Sequence, residues 1–261
     1  MESDLIQIER HGTVAVLQFT EPKALNPFSM EMRVQAAEAY EALSADDTVS
    51  AIVLTGAGGN FSAGADIRQL RAITEPDPDL ARRRLEPLAR LVRLIAGGPK
   101  PAVAAVEGIA FGAGMSLAAA CDHVVAGESA RFGAAFVKIG LTADCGLLST
   151  LPQRVGLTRA RQILMTGAPV PAKEAAEIGL VDTLTEDGKA LDDAIALAQG
   201  MTGAAPLAVA AIRRALAQGP LTLEQALSFE SATQPMLSMT ADHREGIDAF
   251  FAKRKPRFRG K

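Results

Sequence analysis

At 261 residues and 48% hydrophobic composition, the chain is long enough to bury a full core within one main domain. A net charge of −3 and an isoelectric point near 5.7 give no global electrostatic reason for nucleic acid or an anionic membrane to be the main partner. Two cysteines, Cys121 and Cys145, without CxxC spacing, and three scattered histidines argue against a disulfide framework or a structural zinc site, and for a reducing, cytoplasmic setting.

The opening MESDLIQIER is acidic and alternating, unlike a secretory signal. LIQIER and TVAVLQF, joined at His11-Gly12, predict a β-hairpin. Ser29 is a start signal for a helix through MEMRVQAAEAYEALSAD, and SAIVLTG is a buried strand ending in glycine. The alternation then repeats. GGNFSAGADI is a loop into a helix, ARRRLEPLARLVRLIAG a helix with an apolar face, and PAVAAVEG a second buried strand. GIAFGAGMSLAAACDHVVAG again gives loop, helix and strand. The apolar stretch 101–120 is rich in alanine and glycine and carries Glu107, so a buried core position is expected rather than a bilayer span. From about residue 188 only helices are predicted. The expected organisation is an α/β core over 1–196 and a helical region over 197–261. The last nine residues, KRKPRFRGK, hold six basic groups, readable either as a solvated tail or as an anion contact.

Two glycine-containing loops follow buried strands and lead into helices, yet neither carries a nucleotide fingerprint. GAGMSL lacks the third glycine of a dinucleotide motif, and AGGNFSAG lacks the GK[ST] of a P-loop. FSAG also fails as a nucleophile elbow, since Asn60 stands where glycine is needed. What the loops share is placement: amides near Ala65 and Ala113 can point into one cleft and bind developing negative charge. Tight packing without a ligand is the competing explanation.

FSAGADIRQL (61–70), KPAVAAVEGIAFGAGMSLAAACD (100–122) and ARFGAAFVKIGLTADCGLLSTLPQRVG (130–156) together resemble the crotonase, or enoyl-CoA hydratase/isomerase, superfamily. The resemblance runs in order from EPKALNPFS (21–29) to FFAKRKPRF, nearly the whole chain. It implies a spiral of ββα turns followed by a helical trimerisation region, with trimers often paired into hexamers. It also implies an acyl-CoA thioester substrate whose carbonyl oxygen lies between two backbone N–H groups, here matching Ala65 and Ala113. CoA is then part of the substrate, and no separate cofactor or metal is implied. The CoA contacts of relatives map onto Lys23, Ala24, Ala63, Asp66 and Ile67, with Lys253 and Phe250 or Phe251 as candidates in the basic tail, reaching across a subunit boundary.

Hydratases of this family resemble one another in carrying two glutamates. This chain has Ser116 and Phe136 at those places, which undercuts simple hydration, a reaction that needs both a base and an acid. Asp144, within KIGLTADCG, falls where some isomerases of the family place a catalytic aspartate, and the local string is most like the 1,2-epoxyphenylacetyl-CoA isomerase type. One carboxylate suffices for a double-bond shift, taking a proton at one carbon and returning it at another. The competing explanation for Asp144 is an N-cap before the apolar run at Leu147. Ser116, Phe136 and Leu141 are expected around the acyl pocket, although a small hydroxyl on a buried helix, such as that of Ser116, more often satisfies backbone; Asp66 is expected in a mainly structural role or near the CoA entrance. A hydratase, and a weakly catalytic CoA-ester- or RNA-binding family member, remain the alternatives.

Overall fold

The computed structural model describes residues 4–75 and 77–261. Residues 1–3 of the opening segment, and Pro76 of the stretch RAITEPDPDLARR, lie outside the described residues. In chain order the elements are β1 (Ile6–His11), β2 (Val14–Phe19), α1 (Met30–Ala45), β3 (Ala51–Gly56), α2 (Ile67–Arg71), α3 (Pro78–Gly97), β4 (Ala102–Val106), β5 (Ile109–Phe111) and α4 (Ala113–Ala120). They continue with β6 (His123–Gly127), β7 (Arg131–Gly133), α5 (Leu147–Thr166), β8 (Val170–Pro171), α6 (Ala172–Glu177) and β9 (Thr183–Thr185). The helices α7 (Ala190–Met201), α8 (Pro206–Leu216), α9 (Leu223–Ser238) and α10 (Ala241–Phe251) complete the chain.

The main sheet has the order β1-β2-β3-β4-β6-β9, antiparallel only at the β1–β2 hairpin. Its strands are apolar on both faces because both faces are covered. Leu17, Ile52, Leu54 and Ala104 join the core beneath α1, α3 and α4. Val16, Val53, Val103 and Val125 meet Ala190, Ala194 and Ala198 of α7 on the other face. A smaller sheet, β5-β7-β8, leans on the loop after β3 through the isolated pair Ser62–Ala110.

This is the α/β architecture with a C-terminal helical region that the crotonase resemblance implies. The internal boundary differs from the expected one. Residue 196 falls inside α7, whose alanines seal one face of the sheet, so that helix belongs to the core. Helix α8 is also tied down: buried Arg213 donates from Nε to both carboxylate oxygens of Asp122 at 2.9 Å and reaches the carbonyls of Gly98 and Ile95. Of the C-terminal helices α7–α10, α9 alone carries no buried residue among the described residues, and Leu223, Met236 and Met239 stand exposed on it or directly after it.

Candidate active site

The C-terminal ends of parallel strands are where an open α/β sheet builds sites, and β3 and β4 each feed such a loop. After β3 the chain runs through Ser62–Asp66; after β4 and β5 it turns at Gly112 into α4. The two loops are stitched together. The Ser62 amide donates to Ile109 O at 2.9 Å, and the Phe111 amide donates to Ser62 O at 2.9 Å. Gly64 has φ +89, and a Cβ there would stand 2.5 Å from Phe111 O and 3.3 Å from Ala113 N, so the approach is possible only for glycine.

This contact sets the Ala65 and Ala113 amides side by side. Ala113 is the first residue of α4, where an N–H has no intrahelical acceptor. Among the described residues neither amide donates a hydrogen bond. Two free donors, one at a helix N-terminus, suit an oxygen on which negative charge develops.

Asp144 lies in the loop between the 3₁₀ turn Ala135–Ile139 and α5. Gly146, not Asp144, occupies the cap position of α5, with no side-chain cap bond; the Asp144 carbonyl, not its carboxylate, accepts from the Leu147 amide at 3.1 Å. The carboxylate is therefore free of the capping role. Its Oδ1 is buried with no hydrogen-bond partner. Burial pushes the Asp144 carboxyl above its ordinary value of 3.8, against the opposing pull of the Cys145 thiol and the Arg33 charge.

A cavity of about 630 Å³ joins these groups, lined by Ala63, Ala65, Ile67, Gly112, Ala113 and Asp144, with Phe136 and Leu141 among the apolar walls. Such a volume is in the range of small-molecule sites. Ser116 does not line it. This corrects the expectation of a pocket residue: the side chain is fully buried, and its Oγ lies 3.2 Å from Gly112 O and 3.1 Å from Asp144 O, so the hydroxyl links the donor loop to the Asp144 loop through backbone. Asp66 lies beside the cavity as the cap of α2, accepting from the Arg68 amide at 2.9 Å and pairing with its guanidinium, which holds its carboxyl below the usual range.

Lys23 and Ala24 form a short 3₁₀ turn outside the cavity lining, joined to it where the Ala63 amide donates to Leu25 O at 2.8 Å. Lys253 is exposed and does not reach the cavity within this chain. The basic tail is anchored within the chain itself. Asp242 accepts from the amides of Arg259 and Gly260, and Glu245 pairs with Arg254 and accepts from the Arg257 amide.

Two contributors escaped the sequence reading. Asn26, fully buried at φ 52, donates from Nδ2 to Ala57 O and Asn60 O and accepts from the Glu21 amide, pinning the loop that carries Ala65. Replacing it with alanine is expected to cost about 2–3 kcal/mol, since buried partners lose their bonds; chemical denaturation of Asn26→Ala checks this. The second is Arg33, 5% exposed, which lines the cavity with Asp144. It stands on the buried stripe of α1 with Ala36, Ala37 and Tyr40, and a charge at a core-facing helical position is a signal the periodicity contains.

A family model for enoyl-CoA hydratase/isomerase matches residues 9–261. A Thermus thermophilus protein, whose enoyl-CoA hydratase name is itself provisional, is 41% identical over 97% of this chain and all of its own length. The 1,2-epoxyphenylacetyl-CoA isomerase of Escherichia coli is 37% identical with full coverage of both chains. The crystal structure of an enoyl-CoA hydratase from Polaromonas superposes with a TM-score of 0.90 at 32% identity, covering 97% of this chain and 99% of that one. Family model, relatives and fold agree, and the chain belongs to the enoyl-CoA hydratase/isomerase (crotonase) family of enzymes that transform CoA thioesters.

Proposed function

We propose that the protein is an acyl-CoA isomerase that shifts a double bond within the acyl chain, with Asp144 carrying the proton. In a 3-enoyl thioester, Asp144 removes a proton from the carbon next to the carbonyl. The electron pair moves into a dienolate whose oxygen accepts hydrogen bonds from the Ala65 and Ala113 amides. Asp144 then returns the proton to the fourth carbon, leaving the 2-enoyl thioester. One group serves as base and then as acid, so no co-reactant is consumed. A ring-epoxide isomerisation uses the same donors and the same acid.

The observation that carries this reading is the Asp144 carboxylate in the cavity with an unpartnered oxygen, free of the capping role. The other carboxylate of the lining, Asp77, is engaged at the start of α3, accepting from the amides of Asp79 and Leu80. Ser116 and Phe136, standing where hydratases resembling this family carry glutamates, supply neither acid nor base. Hydration is the second reading, favoured by the hydratase name of the Thermus relative. Incubation with 3-enoyl-CoA and 2-enoyl-CoA in parallel separates them: the isomerase interconverts the two at constant mass, whereas conversion of 2-enoyl-CoA to a product heavier by one water assigns a hydratase.

The reading includes assembly as a homotrimer or a dimer of trimers, supported by the exposed Met236, Met239, Phe250 and Phe251 at the C-terminal helices. The reading assigns exposed Lys253, which does not line the cavity of its own chain, a contact with the CoA of a neighbouring subunit.

A further inference from the structure

We infer that Arg33 is a positioning residue that tunes Asp144: its guanidinium, fixed in the wall of the same cavity, favours the ionised, proton-accepting form of the buried carboxyl against the burial that disfavours it. The inference rests on the reading of Asp144 as proton carrier. Arg33 lies one turn into α1 and is 5% exposed. Its Nε donates to Phe28 O at 2.9 Å and its Nη1 to Arg84 O at 2.7 Å. Both acceptors are neutral carbonyls, so the charge is held rigidly but not neutralised by contact. A buried cation in this state needs a counter-charge nearby.

The cavity offers few. From α3 and the residue before it come Arg84, of the same sign, and Asp77, which is exposed and engaged as a helix cap. The Ser116 hydroxyl of α4 lies outside the lining and meets the Asp144 carbonyl, not its carboxylate. From the loop of Asp144 itself comes the Cys145 thiol, kept neutral by burial. Asp144 is thus the carboxylate of the shared lining left to face Arg33; burial dominates at its carboxyl, and the Cys145 thiol and then the Arg33 charge work against it. The placement has a further consequence. Phe28 pairs with Ala65 across an isolated β-bridge, so the residue that tunes the acid is anchored to the loop that carries an oxyanion donor.

The test is the pH dependence of kcat/KM in the wild type, Arg33→Gln and Arg33→Lys. Arg33→Gln is expected to raise the apparent pKa of the acidic limb by about one unit or more, lowering activity at least about tenfold on the limb and recovering it at higher pH. Arg33→Lys, which keeps the charge, should restore the wild-type limb. A folded Arg33→Gln variant whose limb does not move, or whose activity falls equally at every pH, overturns the inference. Carbon-13 NMR titration of the Asp144 carboxyl in the wild type and in Arg33→Gln, assigned by difference from Asp144→Asn, needs no turnover: a carboxyl that titrates higher in Arg33→Gln agrees with the inference, and one that does not move refutes it. An absent double-bond shift together with that upward move would instead refute the isomerase reading alone.

Discussion

Asp144→Asn is expected to lower kcat by about 10²–10⁴ while leaving KM little changed, the loss typical of removing a general acid–base group. The substitution is close to isosteric and breaks no hydrogen bond at Oδ1, which has none among the described residues. The fold should therefore survive, and the pH dependence of its stability is set by linkage. Burial raises the Asp144 carboxyl above 3.8, so the native state binds its proton more tightly than the unfolded chain. Stability associated with this group is full at low pH and is lost as pH rises through the folded value. Asp144→Asn removes that loss. The amide also takes from buried Arg33 the charge that faces it, which lowers stability, so the pH dependence carries the test: the stability that the wild type loses as pH rises is not lost in Asp144→Asn. A collapse in activity in a variant that stays folded, with a flatter pH dependence of its melting temperature, separates a chemical role from a structural one.

Ala113→Pro is expected to cost about 10²–10³ in kcat, the scale of deleting one oxyanion donor. No ordinary side-chain substitution removes a backbone N–H, but proline does. Ala113 is the first residue of α4, the helical position where proline fits best, because its missing N–H has no intrahelical acceptor there. Gly112, at φ 52, already lies outside the right-handed helical region that a following proline disfavours. The ring also occupies space in front of the donor, so part of the loss is steric. Single-turnover rates at saturating substrate read the loss, and circular dichroism verifies that α4 persists. Activity within about threefold of wild type would place the thioester oxygen elsewhere, since one such donor is worth far more.

Much of the fold was legible from period and punctuation. The hairpin at Gly12, the cap at Ser29 and the apolar runs that became β3, β4 and β6 each carry a local signal, and the structure places them as expected. The very short strands β7, β8 and β9 were not legible: β8 has two residues and β7 and β9 three each, too few for any alternation to register. The boundary at 196 missed because an alanine-rich helix looks the same in sequence whether it covers a sheet, as α7 does, or stands apart. At the site, Ala65, Ala113 and Asp144 line one cavity; the loops after buried strands point to the two amides and the apolar run points to Asp144, but tight packing and helix capping explain the same signals, and the family resemblance tips the balance. For Ser116 the sequence leaves a pocket contact and a backbone bond both open, and the structure shows the backbone bond; helical position alone does not tell which carbonyl a buried hydroxyl will meet. Arg33 was overlooked for the opposite reason: arginine is usually read as surface, although its place beside Ala36, Ala37 and Tyr40 marks it as buried.

The central claim is that one carboxylate, Asp144, moves one proton between two carbons of a CoA thioester. The most direct measurement follows a 3-enoyl-CoA deuterated at the carbon next to the carbonyl, incubated with wild type and with Asp144→Asn, with mass spectrometry and NMR locating the label. The account predicts a 2-enoyl product without added water, carrying deuterium at the fourth carbon in the wild type, and a reaction slowed by about 10²–10⁴ in Asp144→Asn. A product that has gained water, or a shift of equal rate in the two proteins, would contradict it.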